Sequence, residues 1–318
     1  MYFPYLRGKQ FELLALRELS ELLGANRDKV SPIIEPVKEL PTFKSTVSAL
    51  HKKDINFSLV LNPAVGNLSK KVRAKEHVFE YLASTVADFE NYQLGILIDP
   101  RALNWIKPIL DVRSPIQRLR PRGISFIHNE VNDQIQTIER DFNVKWPTLY
   151  NVINFKNTNR RYYRRFPSST VVAQDDYFLC LDKNSEYLQQ DESQFSEEHL
   201  YYKEEGFAGF SDFLTIGDNY TEGGFLPYAV AIHLSFADAD RRIRVKHFVS
   251  DSNNDTTDVA GKFAEANRKL IDWCNERNLK SIAIEEFRRL STSRHFPGLG
   301  TIKKLSIMNH IELVLSLI

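Results

Sequence analysis

Eight short apolar runs, spread over the first 218 residues, each end on a polar or charged side chain. A buried parallel strand is apolar along its length, and in a (β/α)8 barrel the residues at its carboxyl end face the ligand. Successive run ends lie about thirty residues apart, the length of one strand and one crossover helix. The runs and their polar ends are 2–6 with Arg7 and Lys9, 33–34 with Glu35, 59–61 with Asn62, 96–98 with Asp99, 124–127 with His128, 152–153 with Asn154, 171–173 with Gln174 and Asp175, and 213–216 with Asp218.

Helical periodicity fills the gaps between these runs. Leu16, Leu19 and Leu23 form one apolar stripe, and similar stripes follow the third and fifth runs. Because strands and helices alternate, we expect parallel pairing and an α/β fold of the (β/α)8 TIM-like barrel type. The gaps after Asp99 and Asn154 leave room for little helix, so a doubly wound open sheet is the alternative.

The character of the sequence changes after the eighth run. Segments 228–236 and 243–249 are rich in β-formers and are separated by ADADRR, which is typical of a β-hairpin. Apolar stripes beyond residue 258 then predict C-terminal helices, one of which carries Trp273. We therefore predict a barrel over residues 1–225 and an appendage over residues 226–318, in which the hairpin and the helices pack on the barrel.

Charge and cysteine content restrict the partners and the compartment. The 42 Lys and Arg residues nearly balance the 41 Asp and Glu residues, so no global charge draws the chain to nucleic acid or to an acidic membrane. Cys180 and Cys274 suit neither a disulfide framework nor a metal knuckle. No segment has the composition of a signal peptide or the roughly 20 apolar residues of a membrane span. We expect a soluble cytoplasmic protein with no membrane partner.

The polar ring carries the chemistry that the sequence offers. Close packing of opposite charges can tune a carboxylate or an imidazole as an acid or a base, and several carboxylates together could hold Mg²⁺. We assign catalytic roles to Lys9, Glu35, Asp99, His128 and Asp175, and ligand-binding roles to Arg7, Asn62, Asn154, Gln174 and Asp218. The metal and the cofactor stay unknown. The alternative is structural, because polar residues also mark the point where a strand leaves the core.

Arg7 and Lys9 are two residues apart, so in an extended chain they point to the same side. A phosphate or carboxylate group of a ligand would suit such a pair. The alternative is that Glu12 or Glu35 neutralises them as a structural ion pair.

Residues 160–165 place two tyrosines between two pairs of arginines, a mixture that suits backbone neutralisation and base stacking on single-stranded nucleic acid. The acidic stretch 176–205 could pair with this segment or close over the barrel mouth. No Walker loop, dinucleotide fingerprint, nucleophile elbow or HExxH helix is present, which excludes several large enzyme classes.

Longer motifs point to a family. The segments YFPYLRGKQFELLALREL and PIIEP resemble the opening of the bacterial and phage "beta protein" family. GFSDFLTIGDNYTEGGFLPYAVAIHL, HFVSDSN and HFPGLGTIKKLSIMNHIEL resemble one bacterial branch of it, named only after a Sorangium locus. The resemblance implies a part of a mobile-element or anti-phage defence module, encoded beside a gene for a small companion protein. It implies no catalytic residues.

Two functions are therefore predicted from the sequence. The first is an enzyme, such as a phosphodiesterase or nuclease-like hydrolase, whose barrel mouth acts on a phosphate-bearing ligand, either a nucleotide or nucleic acid. The second is a non-catalytic scaffold or sensor that binds the companion protein through the hairpin and the C-terminal helices. The fold by itself does not choose between them.

Overall fold

A computed structural model describes residues 1–73, 78–100, 102–223 and 226–318. Its strands, numbered along the chain, are β1 (Tyr2–Leu6), β2 (Ile33–Ile34), β3 (Phe57–Val60), β4 (Tyr92–Ile98), β5 (Ile124–His128), β6 (Thr148–Asn154), β7 (Val171–Asp175), β8 (Glu192–Ser196), β9 (Gly209–Asp212), β10 (Ala231–Ala237) and β11 (Ile243–Val249). Its helices are α1 (Gln10–Glu18), α2 (Ser20–Ala25), α3 (Pro41–Lys52), α4 (Gly66–Arg73), α5 (Val78–Val86), α6 (Ala102–Leu110), α7 (Ile135–Asn143), α8 (Glu198–Tyr201), α9 (Val259–Glu276), α10 (Ile282–Thr292) and α11 (Leu299–Leu317).

Eight parallel strands close into a barrel in the order β1-β2-β3-β4-β5-β6-β7-β9. Helices α1 to α7 separate the strands up to β6, and short 3-10 turns replace a helix between β6 and β7. The prediction of a (β/α)8 barrel is confirmed. Strands β1, β4 and β5 are buried from end to end, which explains why each one is a nearly continuous apolar run in the sequence.

Alternation along β5 defines the two faces of the barrel wall. Ser125 points into the lumen, where its hydroxyl donates to Gln93 Oε1 at 2.6 Å and accepts from Ser58 Oγ at 3.3 Å. Phe126 points outward and packs edge to face on Phe142 of α7, with ring centroids 5.7 Å apart. Residues of β5 that share the parity of Phe126 therefore face the helical layer rather than the lumen.

The eighth barrel strand differs from the sequence prediction. The apolar run 213–216 was expected to form it, but that prediction is wrong: β9 closes the barrel, and Leu214–Ile216 forms a 3-10 turn. Strand β9 pairs with β1 through Tyr2↔Phe210 and with β7 through Val172↔Gly209. Its sequence, GFSD, contains a single large apolar residue, so hydrophobic periodicity does not reveal it.

The chain divides into two compact units, and the second is interleaved with the first. Unit 1 comprises Met1–Asp176 and Leu200–Asp212, and unit 2 comprises Tyr177–His199 and Phe213–Ile318. The predicted boundary after residue 225 differs from this division, and residues 224–225 lie outside the described ranges.

Unit 2 contains a three-stranded antiparallel sheet and the last three helices. The predicted hairpin is present as β10 and β11, and β8 adds to it, giving the order β10-β11-β8. Asp258 begins α9 by accepting a hydrogen bond from Gly261 N at 2.8 Å. Part of the acidic stretch is neutralised inside this sheet, since Glu192 of β8 lies 2.5 Å from the Arg244 guanidinium of β11.

None of the helices in the described ranges is both long and apolar enough to cross a lipid bilayer.

Candidate functional site

The turn from β1 to α1 brings Arg7 and Lys9 to the carboxyl end of the barrel. Gly8 joins them with a φ of 60°, and a Cβ on Gly8 would lie 2.9 Å from the carbonyl oxygen of Glu35. Only glycine fits this left-handed position against the neighbouring backbone. Glu35 N donates to Leu6 O at 2.9 Å, so the residues that follow β1 and β2 lie side by side.

Glu35 is held by three donors at this edge. It is 1% exposed. Its Oε2 accepts from the Tyr5 hydroxyl at 2.8 Å and lies 3.4 Å from Arg7 Nη1, and its Oε1 accepts from Ala64 N at 2.7 Å. The Arg7 guanidinium also lies 5.7 Å from the centre of the Tyr5 ring. The carboxylate of Glu35 therefore fixes the position of Arg7. This is the structural ion pair that was the alternative to ligand binding for Arg7.

Glu12 is a second buried carboxyl group beside the same turn. It lies in the first turn of α1, three residues after the N-cap residue Lys9, and accepts hydrogen bonds from the backbone N–H groups of Arg7 and Lys9. Burial raises its pKa to about 7, and the nearby charges of Lys9 and Arg7 oppose this effect only in part. Its Oε2 is buried with no hydrogen-bond partner among the described residues.

The four charged groups give this edge a charge that depends on pH. Arg7 and Lys9 contribute two positive charges, and Glu35 contributes one negative charge. Because the pKa of Glu12 is about 7, the group carries one net positive charge below neutral pH and none above it. We call Arg7, Lys9, Glu12 and Glu35 the mouth cluster.

Asn62 and Asp99 lie at the ends of the next two strands. The Asn62 amide donates to Leu97 O and accepts from Leu97 N, both at 2.9 Å, so it extends the pairing of β3 and β4. Both the nitrogen and the oxygen of its amide are hydrogen-bonded to the backbone of Leu97, so Asn62 has a structural role. Asp99 is partly exposed, and its backbone carbonyl accepts from Asn132 Nδ2 at 2.7 Å. Side chains alternate along β4, so Asp99 lies on the same side as Gln93, which faces the lumen.

Asn154 and Gln174 are buried at the ends of β6 and β7 and share one register position. Gln174 Nε2 donates to Ser211 Oγ of β9 at 3.0 Å. Asn154 Oδ1 accepts from the backbone N–H groups of Lys156 and Asn157, both at 3.1 Å, and so shapes the loop after β6. These amides line the same end of the barrel as the mouth cluster, and each of these hydrogen bonds is to another group of the barrel.

His128 lies on the other face of the barrel wall. It shares the outward parity of Phe126, and its ring packs against Phe166 with centroids 4.8 Å apart. Its Nδ1 is 3.1 Å from the Tyr162 hydroxyl and its Nε2 is 3.0 Å from Asn151 Oδ1. Burial lowers its pKa to about 4, so the imidazole is neutral at physiological pH. His128 therefore does not meet Glu35 at the carboxyl end of the barrel. The ring of polar residues expected there does not include it.

Asp175 does not share the lumen face of Gln174, and Asp218 does not end a barrel strand. Asp175 follows Gln174 directly and takes the opposite face of β7, where its Oδ1 accepts from Asp176 N at 2.7 Å and burial raises its pKa. Asp218 follows the 3-10 turn and belongs to unit 2, not to a barrel strand. Its expected place depended on the strand at 213–216, which does not form.

Several polar contacts of the barrel were not identified from the sequence. The Tyr2 hydroxyl donates to Asp212 Oδ1 at 2.9 Å, and Asp212, rather than Asp218, ends the eighth strand. Tyr5 holds Glu35 of the mouth cluster through its hydroxyl, and Glu12 belongs to the cluster, although the sequence suggested Glu12 only as an ion-pair partner. The capping-box spacing of Lys9 and Glu12 is a sequence feature that could have identified Glu12.

Over the residues that the structure describes, no group of three or more histidine, cysteine, aspartate or glutamate side chains is placed to hold a metal ion. Comparisons with protein-family models, with curated proteins and with solved structures found no match to this chain.

Proposed function

We propose that the mouth cluster binds a phosphate-bearing ligand, either a nucleotide or nucleic acid, and that Arg7 and Lys9 contact the phosphate. The observation that carries this proposal is the convergence of two partly exposed cations on one turn at the carboxyl end of a (β/α)8 barrel. In this fold the carboxyl end holds the ligand. Guanidinium and ammonium groups are the usual partners of phosphate oxygens.

Glu35 preorganises this site. Because Tyr5 and Ala64 also hold its carboxylate, Arg7 is presented in one orientation before a ligand arrives. Less side-chain entropy is then lost on binding than for a freely rotating arginine.

Glu12 regulates the affinity. It is 4% exposed, so it acts through charge and not through contact with the ligand. When Glu12 is protonated the cluster is positive, and when it ionises the cluster is neutral. An anionic ligand therefore binds more tightly below the Glu12 pKa of about 7 than above it.

The reaction that we propose is hydrolysis of a phosphate ester, as in a phosphodiesterase or nuclease. Asp99 is the partly exposed carboxylate with lumen parity, and we assign it to accept the proton of the attacking water. Water forms the new P–O bond, the ester P–O bond breaks, and the leaving oxygen takes up a proton from solvent.

A titration with a short single-stranded oligonucleotide lacking terminal phosphates tests this proposal. The charge of such a phosphodiester is constant between about pH 5 and about pH 8. We expect affinity to fall across this range for the natural chain and to be nearly constant for Glu12→Gln. Arg7→Gln should weaken binding at least tenfold, and Asp99→Asn should abolish turnover while leaving binding unchanged.

Lys71→Gln is the matched control, because Lys71 is a partly exposed lysine whose Nζ lies 2.6 Å from Oε1 of Glu39. Equal affinity of the natural chain, the Arg7 variant and the Lys71 variant would refute the binding site. Unchanged turnover in the Asp99 variant would refute the catalytic assignment alone.

A second candidate function is the non-catalytic scaffold or sensor, in which a companion protein binds unit 2. The observation that favours it is the exposure of large apolar side chains there: Leu226 is 64% exposed and Tyr228 is 61% exposed. Replacing both with serine should abolish capture of the neighbouring gene product and leave oligonucleotide binding intact. Capture that survives this double change would contradict the surface.

Both functions fit a component of an anti-phage or mobile-element defence module that acts in the cytoplasm, which is what the motif resemblance suggests. Loss of phage protection in cells that carry Arg7→Gln or the unit 2 double variant would show which of the two surfaces the module needs. Full protection with both variants would contradict this assignment.

A further inference from the structure

Unit 2 contains a cavity of about 280 Å³ on the side of β11 where α9 packs. Its lining includes Tyr187, Asp191, Lys246, His247, Lys269 and Trp273. A volume at the lower end of the range for ligand pockets suits one small molecule and not a polymer or a protein segment.

Two ammonium groups line this cavity, and each has an exposed acidic partner. Lys246 Nζ lies 2.5 Å from Asp191 Oδ2, and Lys269 Nζ lies 2.6 Å from Asp251 Oδ1. The two aspartates are 69% and 59% exposed, whereas Lys246 is 16% exposed. Ion pairs with such exposed carboxylates contribute little free energy, so an anion inside the cavity can compete for Lys246 and can share Lys269, whose Nζ also donates to Val249 O at 2.7 Å.

The remaining wall is aromatic. Phe248 holds Trp273 in an edge-to-face contact at 5.6 Å, and the Arg277 guanidinium lies 4.4 Å from the indole ring. The Tyr187 ring lies 4.5 Å from the His247 ring. Because His247 and Phe248 are successive residues of β11, Tyr187 and Trp273 contact opposite faces of the strand. Trp273 is the aromatic surface on the face that carries Lys246, and a ring fixed in this way has little entropy left to lose.

His247 is a neutral and fixed part of the wall. Its Nδ1 is 2.8 Å from Nδ1 of His233, directly opposite on β10, and its Nε2 is 3.0 Å from Ser193 Oγ. Burial lowers its pKa to about 4, so it adds no positive charge at neutral pH. The charge available to an anion in the cavity therefore comes from the two lysines.

We propose that this cavity binds a small planar anion, with its ring on Trp273 and its phosphate or carboxylate group on Lys246 and Lys269. The site is independent of the mouth cluster, and no residue is shared between them. A mononucleotide or an aromatic carboxylate has this chemistry.

Calorimetric titration of the full chain with adenosine monophosphate, adenosine, inorganic phosphate and benzoate tests the proposal. We expect adenosine monophosphate or benzoate to bind, and adenosine and phosphate alone to bind at least tenfold more weakly, because each supplies half of the contacts. Lys269→Met and Lys246→Met should each weaken binding about tenfold. Lys269→Arg should retain affinity, which would show that the loss comes from charge and not from misfolding.

Lys71→Met serves as the control and should bind benzoate as the natural chain does. The adenosine monophosphate titrations are made in the Arg7→Gln background, so that the mouth cluster does not compete for the nucleotide. Binding that is lost in Arg7→Gln but kept in the two cavity variants would place the probe at the barrel mouth and overturn the proposal. Adenosine that binds as tightly as adenosine monophosphate, or the absence of binding by both anionic probes, would also overturn it.

Discussion

Because the pKa of Glu12 is raised in the folded chain, we expect its contribution to the free energy of unfolding to depend on pH. The unfolded chain releases this proton near pH 4.5, and the folded chain releases it near pH 7. Between these values the folded state binds more protons, so the contribution of Glu12 to the free energy of unfolding falls as pH rises. Raising the pKa from 4.5 to about 7 corresponds to about 3 kcal/mol. Glu12→Gln cannot ionise and keeps an acceptor for the backbone N–H groups of Arg7 and Lys9.

Denaturant unfolding at a series of pH values measures this effect as the difference between Glu12→Gln and the natural chain. Groups that titrate in both proteins cancel in that difference. We expect the variant to gain up to about 3 kcal/mol relative to the natural chain between about pH 4.5 and about pH 8. Glu18→Gln, at an exposed position of the same helix, is the control and should show no such gain. A Glu12→Gln difference that is the same at every pH would refute the argument.

Three further changes test the barrel framework by chemical denaturation. Asn62→Ala leaves the buried backbone groups of Leu97 without partners and should cost about 2–4 kcal/mol, while an effect below about 0.5 kcal/mol would contradict the contact. Tyr2→Phe removes the hydroxyl donor of buried Asp212 and should cost about 1–3 kcal/mol. Because burial lowers the His128 pKa to about 4, the contribution of His128 to stability should fall as pH falls from about 6.5 toward 4, and His128→Asn should remove that part of the slope. An unchanged slope would contradict the burial of a neutral imidazole.

Much of the barrel was predictable because its strands are buried on both faces. Continuous apolar runs located seven of the eight strands, and the polar residues after β1 and β2 do meet, since parallel neighbours end at the same edge. Strand β9 was not predictable in this way, because GFSD lacks the apolar run and is defined by its pairing with β1 and β7. Only tertiary structure identifies such a strand.

The same burial concealed which face each side chain takes. When nearly every residue of a strand is apolar, the sequence does not show which side chains face the lumen and which face the helical layer. This is why His128 was expected beside Glu35. The partners of His128 come from segments 23 and 34 residues further along the chain, and no short motif links them. Glu12 was recognised as a possible ion-pair partner, but its raised pKa follows from burial that appears only once the barrel and α1 are packed.

A crystal structure of the chain soaked with the oligonucleotide probe would show whether the mouth cluster binds phosphate. We expect a phosphate group within hydrogen-bonding distance of the Arg7 guanidinium and the Lys9 ammonium, with Glu35 still paired with Arg7. Phosphate density elsewhere on the protein, with only solvent beside Arg7 and Lys9, would contradict the proposed binding site.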